Sequence, residues 1–131
     1  MVIVDAQQLF PGALKEIYDA LSARVLGLGD DIVEELSRTQ VSYGAARKFV
    51  WLTPVTKTKA LLTMDMWDEH QASFLRGVIR FRHDKYTHQI EVRSAADIET
   101  VAALGWFEES AAWGRKQRWP NNPQALHGDL L

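Results

Sequence analysis

The sequence predicts an α+β fold: an antiparallel sheet of about four or five strands with a long helix at each end. Three observations predict it. Apolar residues recur at steps of three and four near both ends of the chain, the middle alternates with a period of two, and turn-forming residues interrupt the alternating stretches.

Taken in order, Leu14, Ile17, Tyr18, Leu21 and Val25 share one face of an amphipathic helix from about Pro11 to Leu26. Pro11 suits a first turn, and Gly27 and Gly29 suit the end. After Asp30 and Asp31 the period becomes two, with Thr39, Val41 and Tyr43 alternating against Arg38, Gln40 and Ser42. Gly44-Ala45-Ala46 then turns the chain into Lys48 to Leu52, which makes a hairpin. Thr53 to Lys59, with Pro54 inside, is a second connection. Ala60, Leu62, Met64 and Met66 share one face of the next strand, and Leu61, Thr63 and Asp65 share the other.

Trp67 to Lys85 has no single period. Val78 to Arg82 fits a strand with Ile79 and Phe81 inward, whereas Asp68 to Leu75 fits a helical turn and an irregular loop equally well. Thr87 to Arg93 is clearer, with His88, Ile90 and Val92 on one side. Ser94 caps the last helix with Asp97 in a capping-box position; Ile98, Val101, Leu104, Phe107 and Ala111 form its stripe, which Gly105 weakens locally. From Arg115 the chain turns polar. Residues 1–114 therefore read as a single α+β domain and residues 115–131 as a polar C-terminal tail.

Composition bounds the function. The 131 residues, 47% hydrophobic and 24% charged, suit one globular domain. The absence of cysteine excludes disulfides, thiolate zinc sites and a thiol nucleophile. It also fits a reducing interior, and with no export signal or spanning run the expectation is a cytoplasmic protein without a membrane partner. A net charge of −2 gives no global pull toward polyanions.

The stretches Arg38-Thr39-Gln40-Val41-Ser42-Tyr43, Arg47-Lys48-Phe49-Val50-Trp51 and Lys85 to Ser94 resemble an uncharacterised bacterial domain family labelled "predicted transport protein". Members of that family occur alone or joined to restriction-endonuclease-like domains. The resemblance spans about Leu14 to Trp113 and implies a small α+β domain with an antiparallel sheet and terminal helices. It implies no mechanism. The Trp67 to His83 segment and the Trp-rich end depart from the family's usual pattern.

Several residues carry candidate chemistry. His88 shares its strand face with Ile90 and Val92, where burial would keep the imidazole neutral and suited to general acid/base work; the structural alternative is a core histidine with satisfied nitrogens. Tyr43 and Trp51 are its expected companions in a pocket, each having an apolar body and a polar tip. Arg38 and Arg47 flank the hairpin and can grip a carboxylate or phosphate through forked donors, or else are solvated edge residues. Trp67 and Trp119 lie outside the periodic segments and are freer to bind than Trp106 and Trp113, which suit packing.

Arg76, Arg80, Arg82 and Lys85, with Arg115, Lys116 and Arg118 later, form two basic stretches that read as a nucleic-acid surface or as solvated faces. Asp65, Asp68, Glu69 and His70 match no metal-ligand frame, and neither a serine elbow nor a phosphate-cradling glycine loop is present.

The leading expectation is a binding module for a small anionic or aromatic molecule, lined by Tyr43, Trp51, Trp67 and His88, with Arg38 or Arg47 as charge partners and no cofactor or metal. The alternatives are a small cofactor-independent enzyme, with His88 as general acid/base assisted by Tyr43 or Glu91, and a nucleic-acid or nuclease-associated accessory domain. A homodimer contact through the tryptophans completes the expected partners.

Overall fold

Alternation along each strand sends neighbouring side chains to opposite faces of a sheet, and in this protein those faces meet very different surroundings. The computed structural model describes residues 5–82 and 84–119. Its sheet has six antiparallel strands, β1 (Val33–Leu36), β2 (Val41–Gly44), β3 (Lys48–Pro54), β4 (Ala60–Met66), β5 (Leu75–Arg82) and β6 (Lys85–Val92), in the order β1-β2-β3-β4-β6-β5. Helices α1 (Ala6–Leu9), α2 (Leu14–Leu26), α3 (Ala95–Ala103) and α4 (Trp106–Gly114) complete the described elements.

The mixed antiparallel architecture is the expected one, but the strand count is six and the helices are not one long helix at each end. Gly12, with φ +61°, interrupts helical geometry after Pro11, so α2 starts at Leu14. Gly105, with φ +77°, divides the last helix into α3 and α4. At the start of α3 the Ser94 side chain accepts from the Asp97 backbone N–H, and the Asp97 carboxylate reaches back to the N–H of Arg93.

The expected strand from Arg38 to Tyr43 is a turn followed by a short strand. Ser37 accounts for this: its Oγ donates to the Gln40 carbonyl at 3.1 Å and receives the N–H groups of Thr39 and Gln40 at 3.3 Å. That capture of the local backbone ends β1 and starts β2. Between β2 and β3, Tyr43 pairs with Val50 and Gly44 with Lys48, leaving Phe49 as an extra residue, and both Phe49 and Val50 are buried.

β5 corrects another expectation. Val78, opposite His88, faces the helices, while Ile79, opposite Thr87, lies on the other face; Ile79 and Phe81 are 43% and 61% exposed. Among the described residues no second layer covers this face of the edge strand to bury them.

The core lies between the helices and one sheet face. Val41, Val50, Leu52, Leu62, Met64, Ile90 and Val92 pack there with Ile17, Leu21, Ile98, Val101 and Phe107. Each fully buried side chain of this size stabilises by about 1.5–3 kcal/mol. Ser110 seats α4 on the sheet, its hydroxyl lying 3.0 Å from the Phe49 carbonyl and 2.7 Å from that of Asp65. No helix among the described residues is long and apolar enough to cross a membrane.

Candidate functional site

The sheet face opposite the helices carries polar groups at its centre. Trp51, Thr63 and Gln89 form one cross-strand row on β3, β4 and β6, and Asp65 and Thr87 face each other in the next. Lys85 and Phe81 rise on one side and Gln40 and Trp51 on the other, bordering a shallow, open cup of about 280 Å³. Trp51 and Phe81 stand on strands three spacings apart, about 14 Å between backbones.

Asp65 is the buried charge of this cup, with its side chain only 3% exposed. Oδ1 accepts a short hydrogen bond from the Thr87 hydroxyl, and Oδ2 lies 3.9 Å from Lys85 Nζ. Burial pushes the carboxyl above its usual range, opposed by the Thr87 hydrogen bond and by the charges of Lys85, Arg47 and Arg82. The Lys85 ammonium lies 4.8 Å from the centre of the Phe81 ring.

A second cluster stands where α4 ends. The Arg47 guanidinium lies 3.4 Å from the centre of the Trp113 ring and 5.6 Å from that of Trp67, and its Nε donates to the Trp113 carbonyl at 2.9 Å. Trp113 donates to the Asp84 carbonyl, and Trp67 to the Gln117 carbonyl, each at 2.8 Å. Burial lowers the Arg47 pKa, reinforced by Arg82 and opposed by Asp84 and Asp65. These contacts tie the β2–β3 and β5–β6 turns to the end of α4.

The other anticipated residues are dispersed. His88 is buried in the core, as its alternation requires, but both nitrogens are engaged: Nε2 accepts the His70 backbone N–H at 2.9 Å and Nδ1 lies 3.1 Å from the Tyr86 carbonyl. Tyr43 lies in the same cross-strand row as His88, with Val50 and Met64 between them. Its hydroxyl donates to Glu34. Trp51 is on the opposite sheet face, so the pocket expected from Tyr43, Trp51 and His88 together does not form. Glu91 also lies on the face opposite the helices, paired with Lys59 at 3.1 Å and Arg93 at 3.3 Å. Arg38 is exposed in the β1–β2 turn.

The structure therefore brings Arg47 and Trp67 together, and separately places Trp51 in the cup. Asp65, Thr63, Thr87, Lys85, Phe81 and Gln40 are the lining residues that sequence reasoning did not select. Their signal was the polar face shared by Thr63 and Asp65 on one strand and Thr87 on another, which becomes a site only once β4 and β6 pair in register. Among the described residues no group of three or more His, Asp or Glu side chains converges to hold a metal ion.

Among the described residues, one layer of helices on one face of an antiparallel sheet, with a polar cup on the other face, defines a small two-layer α+β domain. A family described as "Domain of unknown function (DUF5655)" matches residues 5–110, and the chain belongs to that family. No curated protein and no solved structure matches it.

Proposed function

We propose that the protein is a binding module for a small aromatic molecule held in the cup between Trp51 and Phe81. The observation that carries this reading is Asp65, a buried carboxylate at the centre of a sheet face that no second layer covers among the described residues. A carboxylate taken out of water costs several kcal/mol unless its oxygens are supplied with donors, so a fold serving only its own stability gains nothing from one there. Aromatic walls with a few convergent polar groups are the usual composition of a ligand site. The cup's volume falls just below the range of about 300–1,000 Å³ typical of drug-sized ligands, which suits a fragment-sized occupant.

Catalysis by His88 has less support, because the ring is sealed in the core and both nitrogens are already used. The binding reading is tested by adding indole, phenol and benzamide at millimolar concentration while following amide chemical shifts. Concentration-dependent shifts at Thr63, Asp65 and Thr87, diminished in Trp51→Leu, are the expected result. If no aromatic compound moves those resonances, the cup is not a ligand site.

A further inference from the structure

The charges in the cup are paired but not closed. Ammonium–carboxylate hydrogen bonds contract to about 2.7–2.9 Å, whereas Lys85 Nζ and Asp65 Oδ2 stand 3.9 Å apart. Oδ2 receives no hydrogen bond among the described residues, although the Asp65 side chain is 3% exposed. Lys85 leans instead on aromatic rings, 4.8 Å from the centre of Phe81 and 5.7 Å from that of Trp113. Of the other cations near Asp65, Arg82 is paired with Asp84 at 2.8 Å, and Arg47 lies against Trp113. The cup thus presents, side by side, a carboxylate oxygen that receives no hydrogen bond among the described residues and a part-exposed ammonium 3.9 Å from it, with an indole across Thr63.

We infer that the occupant is a zwitterion of the aromatic amino-acid type, its ammonium donating to Asp65 Oδ2, its carboxylate accepting from Lys85 Nζ, and its ring lying over Thr63 toward Trp51. This deepens the binding reading of the same cup and rests on it. The charge pattern selects the class. A simple carboxylate would satisfy Lys85 but set a second anion against Asp65, and a simple amine would satisfy Asp65 but oppose Lys85. A zwitterion laid antiparallel to the pair makes both contacts and leaves net charge unchanged, so neither the buried carboxylate nor the part-exposed ammonium is left opposite its own sign. Thr87 already occupies Oδ1, which directs the incoming ammonium to Oδ2.

The test uses three probes with the same ring and chain: L-phenylalanine, 3-phenylpropionate and phenethylamine. Each is titrated into the full chain, with amide shifts at Thr63, Asp65, Lys85 and Thr87 as readout. Phenylalanine is expected to bind at least tenfold more tightly than either singly charged analogue. Asp65→Asn should abolish its advantage over phenylpropionate, and Lys85→Met its advantage over phenethylamine. The two variants remove opposite ends of the pair, so a folding defect in one leaves the other decisive. Equal or tighter binding of a singly charged analogue overturns the zwitterion assignment while the cup stands as a binding site. So does silence from all three alongside a response to indole or benzamide. Silence from every probe overturns the binding reading itself.

Discussion

The backbone N–H of His70 donates to Nε2 of His88 across 2.9 Å, which fixes the tautomer of a core imidazole: Nδ1 carries the proton and donates to the Tyr86 carbonyl. Through that bond the segment between β4 and β5 is pinned to β6. The clamp continues outward, because the His70 ring lies against Trp106 with centroids 5.0 Å apart and its Nε2 is 2.8 Å from the buried Glu109 carboxylate. Glu109 in turn accepts the Asp68 N–H at 3.3 Å.

Protonating His88 would turn Nε2 from acceptor into donor, directly opposing the His70 N–H. Burial is the main reason its pKa falls to about 4, and the neighbouring His70 lowers it further. Because the folded pKa lies below the unfolded value near 6.5, the unfolded chain takes up this proton first. Stability is therefore complete above about pH 6.5 and is lost as pH falls toward 4, by about 3 kcal/mol in all. Urea midpoints between pH 7.5 and 4.5 measure the slope. His88→Gln keeps a carbonyl acceptor but cannot titrate, so it should flatten this limb; identical slopes for both proteins would remove His88 as the cause.

Asp65 produces the opposite sign. Its folded pKa is raised, so the ionised form is penalised at neutral pH and the penalty is relieved as pH falls through the raised value. Asp65→Asn is expected to be more stable than wild type at pH 8 and to lose that advantage on acidification, while losing affinity for ligands of the cup. Gain of stability with loss of binding is the signature of a residue kept for function. A variant less stable than wild type at pH 8 would make Asp65 a structural group supported by Thr87 and Lys85.

Glu34 locks edge strand β1 to α2, and three hydroxyls hold it: Tyr18 donates to Oε1 at 2.8 Å, while Tyr43 and Ser22 donate to Oε2 at 2.9 and 3.0 Å. Burial and the facing carboxylate push the Tyr18 phenol up to about 12 and that of Tyr43 higher still, so both stay protonated donors. Tyr43 is wholly buried, and no water can replace its hydroxyl. Tyr43→Phe should cost about 1.5–3 kcal/mol, the range for a hydrogen bond to a charged partner. Tyr18→Phe should cost less, since that side chain is only partly buried. Denaturant unfolding of both variants and of Glu34→Gln, combined in a double-mutant cycle, gives the coupling. A Tyr43→Phe cost under about 0.5 kcal/mol would mean that Glu34 is held by solvent instead.

Much of this fold was legible in local pattern, because Ile17, Leu21 and Val25 or Leu62, Met64 and Met66 announce their faces at short range. Three features were not. β1 was missed because only four residues long, with Glu34 turned toward the helices, it alternates weakly, and its satisfaction by Tyr18 and Tyr43 is a tertiary fact. Ile79 and Phe81 looked inward by residue type, yet their strand lies at an edge, and edge position depends on the β4–β6 pairing that no local period encodes. The site misled for a related reason. Alternation correctly put His88 indoors, but which strands separate it from Tyr43, and which face Trp51 takes, follow from sheet order and the Phe49 bulge.

Gly114 and Phe49 give the sharpest test of how α4 sits on the sheet. A Cβ at position 114 would meet the Phe49 ring 2.3 Å from Cδ1 and 2.9 Å from Cγ, with Phe49 Cβ at 3.1 Å. Phe49 cannot swing away freely, since it is wholly buried and its carbonyl receives the Ser110 hydroxyl. In a helix, Gly→Ala ordinarily stabilises by up to about 1 kcal/mol, whereas overpacking a core costs about 1–3 kcal/mol. The clash should win, leaving Gly114→Ala less stable by about 1–2 kcal/mol. Gly77→Ala in β5 is the control, because a Cβ there meets nothing within 4 Å, so relief of backbone entropy should stabilise by about 0.5–1 kcal/mol. Phe49→Leu should recover part of the Gly114→Ala loss in the double variant. Stabilisation by Gly114→Ala alone would show that α4 can lift from β3 without cost, and the close approach would then not hold the helix in place.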